Sequence, residues 1–141
     1  MRQSIIAFVI AIAACGGSDT SPAPITVAGS WVLATYKGST PPVVVSDDAV
    51  NSLKIEIISG NFNMSTSLTY SAVGGIRTTD HGVVTTSTFT CTGSYVVGGN
   101  NLAFTEVVSG QYCGGNFAAT WDGNNALTFA FKNGDSAVFK R

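Results

Sequence analysis

The chain of 141 residues predicts an all-β fold. It reads as an antiparallel up-and-down meander closing into a small barrel of about eight strands, with a β-sandwich as the alternative. Three observations carry this. Charged residues make up only 11% of the chain, and the remaining polarity comes mostly from Thr, Ser, Gly and Asn. With Val, Ile, Phe and Tyr supplying much of the apolar content, this is a sheet composition rather than a helical one. Apolar and polar residues alternate in segment after segment, and no apolar stripe of helical period has useful length. Gly- and Asn-containing turns punctuate those segments.

In chain order, "GSWVLATY" (29–36) is the first strand. A long loop follows over 37–51, where Pro41 and Pro42 exclude a central strand and Asp47 and Asp48 are solvated. "SLKIEIIS" (52–59) alternates, with Leu53, Ile55 and Ile57 on one face and Lys54 and Glu56 on the other. Gly60-Asn61 predicts a turn. "FNMSTSLTY" (62–70) places Phe62, Met64, Leu68 and Tyr70 together, and 71–82 reads as a loop. In "VVTTSTFTCTGSYVV" (83–97), Phe89, Cys91, Gly93 and Tyr95 share a face. Hairpins complete the chain. Gly98-Gly99-Asn100-Asn101 leads into "LAFTEVV", 109–115 into "NFAATW", Asp122-Gly123-Asn124-Asn125 into "LTFAF", and Asn133-Gly134 into "SAVFKR". A meander of this kind hides its edges by closing. A sandwich needs longer crossings, and only 37–51 and 71–82 have the length for one.

The first residues have a different character. Arg2 precedes an apolar run of ten, Ile5 to Ala14. A spanning helix needs roughly 20 such residues, whereas a secretory h-region needs roughly 7–15. Ile12-Ala13-Ala14-Cys15 then resembles the lipobox of bacterial lipoproteins, an aliphatic residue and two small ones before a Cys. The resemblance implies cleavage before Cys15, a diacylglyceryl thioether on its sulfur and acylation of its new amino group. One acyl chain binds a membrane marginally and two or three bind it stably. An ordinary signal cut after Ala14, leaving a free thiol, is the alternative. Residues 1–14 are thus expected to be a signal peptide, 15–27 a lipidated Cys with a flexible tether, and 28–141 the folded domain. The expected address is the cell envelope, on the periplasmic face of the outer membrane or the cell surface, with the membrane itself as partner through the lipid.

The folded part resembles the small lipocalin-like domains of bacterial lipoproteins. Gly29-Ser30-Trp31 is similar to the G-x-W that opens a lipocalin's first strand, "CTGSYVVGGNNLAFT" to the G-x-Y hairpin of these domains, and "NNALTFAFKNGDSAVFKR" to their closing hairpin. The chain departs from the larger lipocalin carriers in being shorter and in lacking their C-terminal helix. The resemblance implies that Trp31 packs at the closed barrel end beneath a cation, Lys140 or Arg141. It also implies a barrel that holds a small apolar or amphipathic molecule. Phe62, Met64, Phe89, Phe104, Trp121 and Phe129 are the candidate lining. The same large residues could instead fill the interior. That would make the chain a structural or interaction protein of the envelope with no small-molecule ligand.

With Cys15 assigned to lipid, Cys91 and Cys113 remain, and an exported protein usually pairs such cysteines. Two buried thiols are the alternative. One His and two Cys in no recognisable spacing do not make a zinc site. His81 is the single histidine and reads as a loop residue; its neighbour Asp80 would point away from it on an extended chain. Glu56 and Glu106 both fall in strands, where an inward carboxylate would be notable, and Glu56 alternates outward. No catalytic group, phosphate-binding loop or cofactor site stands out, so the chain is not expected to be an enzyme. A net charge of −1 argues against nucleic acid. A monomer is expected.

Overall fold

The computed structural model describes residues 26–107, 113, 115–131 and 134–141. The expected signal peptide, Cys15 and the tether up to residue 25 lie outside the described residues. Nine strands run β1 Gly29–Tyr36, β2 Val43–Asp48, β3 Leu53–Met64, β4 Thr69–Asp80, β5 Val83–Gly98, β6 Asn101–Glu106, β7 Phe117–Trp121, β8 Ala126–Ala130 and β9 Ser136–Lys140. Consecutive strands from β2 to β9 pair antiparallel, and β9 pairs with β1. Closure comes from β1 pairing with the second half of β3, where Trp31 lies opposite Phe62. The first half of the same β3 edge carries β2, with Val44 opposite Glu56. Eight strands therefore close the barrel, and β2 is a ninth, flanking strand. One continuous closed sheet rules out the sandwich.

Four segments differ from expectation. The 37–51 segment contains β2. Pro41 and Pro42 stop short of it, and it lies at the sheet edge, where proline exclusion does not apply. Gly60-Asn61 is not a turn, and 71–80 is not a loop; both are strand interior in β3 and β4. Their glycines serve close approach. A Cβ on Gly74 would lie 2.1 Å from the Phe89 ring, which crosses over it from β5. The β3–β4 turn falls instead at residues 65–68, inside the segment expected to be one strand. Leu68 takes a positive φ there and is exposed, off the face it was expected to share. The β4–β5 turn is His81-Gly82, both with positive φ. That curvature brings His81 Nδ1 onto the Asp80 carboxylate, against the extended-chain expectation, and both side chains are exposed.

A break in alternation sits in β3. Ile57 faces Ile76 and Ser59 faces Gly75, so Ile58 is an extra residue in the ladder. Ile55 and Ile57 point inward before it, and Phe62 and Met64 after it. Glu56 stays outside but is covered. Arg77 Nε donates to it at 2.7 Å from β4, and Lys54 Nζ lies 3.1 Å away. The Arg77 hydrogen bond, supported by Lys54 and opposed by burial, lowers the Glu56 pKa from 4.5 to about 2.

Candidate functional site

The barrel has two unlike ends. At the lower end Trp31 is completely buried and its indole N–H donates to Val27 O at 3.0 Å. The Arg141 guanidinium lies 4.6 Å from the Trp31 ring centroid and 5.9 Å from that of Trp121. It donates to Thr26 O and Asn124 O, so it ties the entering chain to the β7–β8 turn. Of the two terminal cations, Arg141 occupies the place over Trp31. Above this clasp Leu102, Phe104 and Leu127 fill the section. Tyr95 closes it sideways, donating to Ser65 O at 2.6 Å.

An aromatic layer lies across the middle. Phe62 contacts Tyr70, Phe104, Phe117, Phe129 and Phe139, with ring centroids 5.0–6.4 Å apart. Phe104 and Phe117 stack at 4.7 Å. Offset-stacked and edge-to-face pairs of this kind each add about 0.5–1.5 kcal/mol beyond area burial. The layer is a floor as well as a core. Above it a cavity of about 600 Å³ opens to solvent at the end opposite Trp31, with walls that are mostly apolar.

Phe62 and Phe129 belong to the floor of this cavity and Phe89 to its wall. Met64, Phe104 and Trp121 do not line it, contrary to expectation. They face inward, but in the filled section beneath. Alternation tells inside from outside; it does not tell height along the barrel. Phe117, Phe139, Ile55, Ile57 and Ile76 complete much of the wall. The phase of Ile55, Ile57 and Phe117 was legible in their strands, though not their height; Ile76 fell in a segment expected to be a loop, and Phe139 was assigned no face.

Polar groups inside the cavity are few. Glu106, the last residue of β6, points inward because it is in phase with Leu102 and Phe104. Its Oε2 accepts the Gly115 N–H at 2.6 Å, while Oε1 is buried with no hydrogen-bond partner among the described residues. Tyr70 is 4% exposed and its hydroxyl likewise has no partner there. Burial first, and then the charge of Glu106, push the Tyr70 pKa up to about 12. The phenol therefore keeps its proton at any physiological pH. Trp121 Nε1 is a third such atom, in the lower section.

The Cys91–Cys113 disulfide lies beside this pair and joins β5 to the β6–β7 connection. Cys91 Sγ, Cys113 Sγ and a Glu106 oxygen lie within 4.8 Å of one another. That grouping is not a metal centre, since sulfurs bonded to each other offer no thiolate. Gly115, which holds the carboxylate, is two residues beyond Cys113.

No family model matches the chain, and no curated protein matches it either. Among solved structures the chain is similar to a lipocalin-like protein from Bacteroides uniformis, at 17% identity and a TM-score of 0.47, over 81% of this chain and 96% of that one.

Proposed function

We propose that the chain is a lipid-anchored protein of the cell envelope that binds a small apolar or amphipathic molecule inside its barrel, with a binding rather than a catalytic role. The observation that carries the binding half is the open cavity of about 600 Å³ above the aromatic floor. Small-molecule sites usually span roughly 300–1,000 Å³, are mostly apolar and hold a few placed polar groups. The filled-barrel alternative describes the lower section only. The anchor rests on the lipobox-like Ile12–Cys15 and the h-region before it. The described chain enters at the closed, Trp31 end, so the tether joins the barrel away from the mouth.

Native mass spectrometry of the purified protein tests the binding half. A co-purifying or added apolar molecule retained at one per chain supports it. Failure of every apolar probe to bind would sink it. The anchor is tested separately: Cys15→Ser should move the protein out of the membrane fraction, and continued membrane association refutes the anchor.

A further inference from the structure

The two unpartnered polar atoms of the cavity belong to one row across the sheet. Tyr70 in β4 lies opposite Gly93 in β5, and Gly93 lies opposite Glu106 in β6. The middle position admits no side chain. A Cβ on Gly93 would stand 2.1 Å from Thr105 O, 2.7 Å from Tyr70 Cε1 and 3.0 Å from Glu106 Cα. The Tyr70 ring thus lies over the Gly93 position, between its own strand and that of Glu106. The carboxyl group is fixed by the Gly115 N–H at one oxygen, and that segment is held in turn by the disulfide. This is a positioned polar spot in a chamber whose lining is mostly apolar, with Ser59, Asn61 and Asn116 as its other polar residues. Leaving such buried groups unpaired carries a desolvation cost, which a ligand that pairs them recovers.

The charges nearby narrow what that ligand is. Lys37 pairs with Asp135, Lys54 and Arg77 pair with Glu56 on the outer surface, and Lys140 and Arg141 sit at the closed end. Among the described residues no cation answers Glu106. Phe62, Phe117 and Phe129 line the cavity as well and offer an apolar surface for the rest of the ligand.

We propose that the cavity takes an amphipathic amine, with its protonated nitrogen donating to Glu106 Oε1 and to the Tyr70 hydroxyl oxygen and its apolar body on the aromatic floor. This rests on the binding function proposed above and adds the chemical class of the ligand. Charge-assisted hydrogen bonds of this kind are roughly twice as strong as neutral ones. An alcohol of the same length would bridge the two groups without the charge, and a carboxylate would be repelled by Glu106.

The test is displacement of a neutral lipophilic dye from the purified full chain by octylamine, octan-1-ol and octanoate at neutral pH. The amine should compete about tenfold better than the alcohol, with octanoate weakest. In Glu106→Gln the advantage of the amine over the alcohol should be lost, each competitor being measured against that variant's own dye affinity. Tyr70→Phe should reduce the advantage of the amine over the alcohol, again measured against that variant's own dye affinity. Dye binding without amine preference in the unaltered chain, or a preference that survives Glu106→Gln, overturns the inference and leaves the binding function standing. Should neither the dye nor any of the eight-carbon probes bind, the binding function itself falls, and the inference with it. If Glu106→Gln loses its native circular dichroism, the head-group order in the unaltered chain and in Tyr70→Phe decides.

Discussion

Glu56 and Gly93 show how single residues act on the two faces of the same sheet. Glu56 is an outward carboxylate that its neighbours cover, and Arg77 and Lys54 hold it ionised well below its ordinary range. A carboxyl whose pKa is depressed on folding adds stability that is complete above its unfolded pKa and is lost as pH falls through the folded one. The Glu56 contribution should therefore be intact above pH 4.5 and fade toward about 2. Urea midpoints of the unaltered chain and of Glu56→Gln, followed down through that window, should converge. A gap that stays constant to pH 2 would assign the effect of the substitution to packing instead. On the inner face, Gly93→Ala forces a methyl against the Thr105 carbonyl, which belongs to the backbone and cannot turn aside. Overpacking of this kind costs about 1–3 kcal/mol. The loss should be visible as a lower denaturation midpoint, and an alanine tolerated with no change would contradict the close approach.

At the scale of elements, β3 does the most varied work. Its length lets one edge take β2 and then β1, and its extra residue at Ile58 changes the phase of its inward side chains. The strand phases of β5, β7 and β8 were legible because alternation with turn residues is a local signal. The errors fell on β2, β3 and β4, whose glycines and short polar stretches resemble turns. At Gly74 the glycine instead makes room for a ring from the next strand, a fact held by β5 and not by the local sequence. The β6–β7 connection is tied to β5 by the Cys91–Cys113 bond, at a sequence separation of 22. A closed loop of that size contributes about 3 kcal/mol in the chain-entropy account. Replacing both cysteines by Ala should lower stability by that order in guanidinium unfolding. It should also weaken ligands that reach Glu106, because Gly115 loses its tether. Unchanged stability would mean that the loop is ordered by other contacts.

Over the whole molecule, the barrel is divided into a filled lower section and an open upper one. The clasp at the lower end joins residues distant in the chain: Arg141 reaches Thr26, Asn124 and the Trp31 ring together. Arg141→Ala should lower the thermal midpoint, with a loss of about 1 kcal/mol, while leaving the cavity and dye binding as they are. A loss of dye binding without a loss of stability would show that the two ends are not separate. Composition, alternation and turn residues by themselves pointed to an up-and-down meander that closes and to the inward side chains of β5, β7 and β8, and the resemblance to lipocalin-like domains implied that Trp31 and a terminal cation belong together. Tertiary structure alone decided the height of each inward side chain. It sent Phe104 and Met64 into the filled section and Phe89 to the wall, and it set Glu106 beside Tyr70 across the empty position of Gly93. The reason is physical. Period-2 facing is set within a strand, whereas height depends on the stagger between strands, and that stagger is fixed by pairings between residues far apart in the chain.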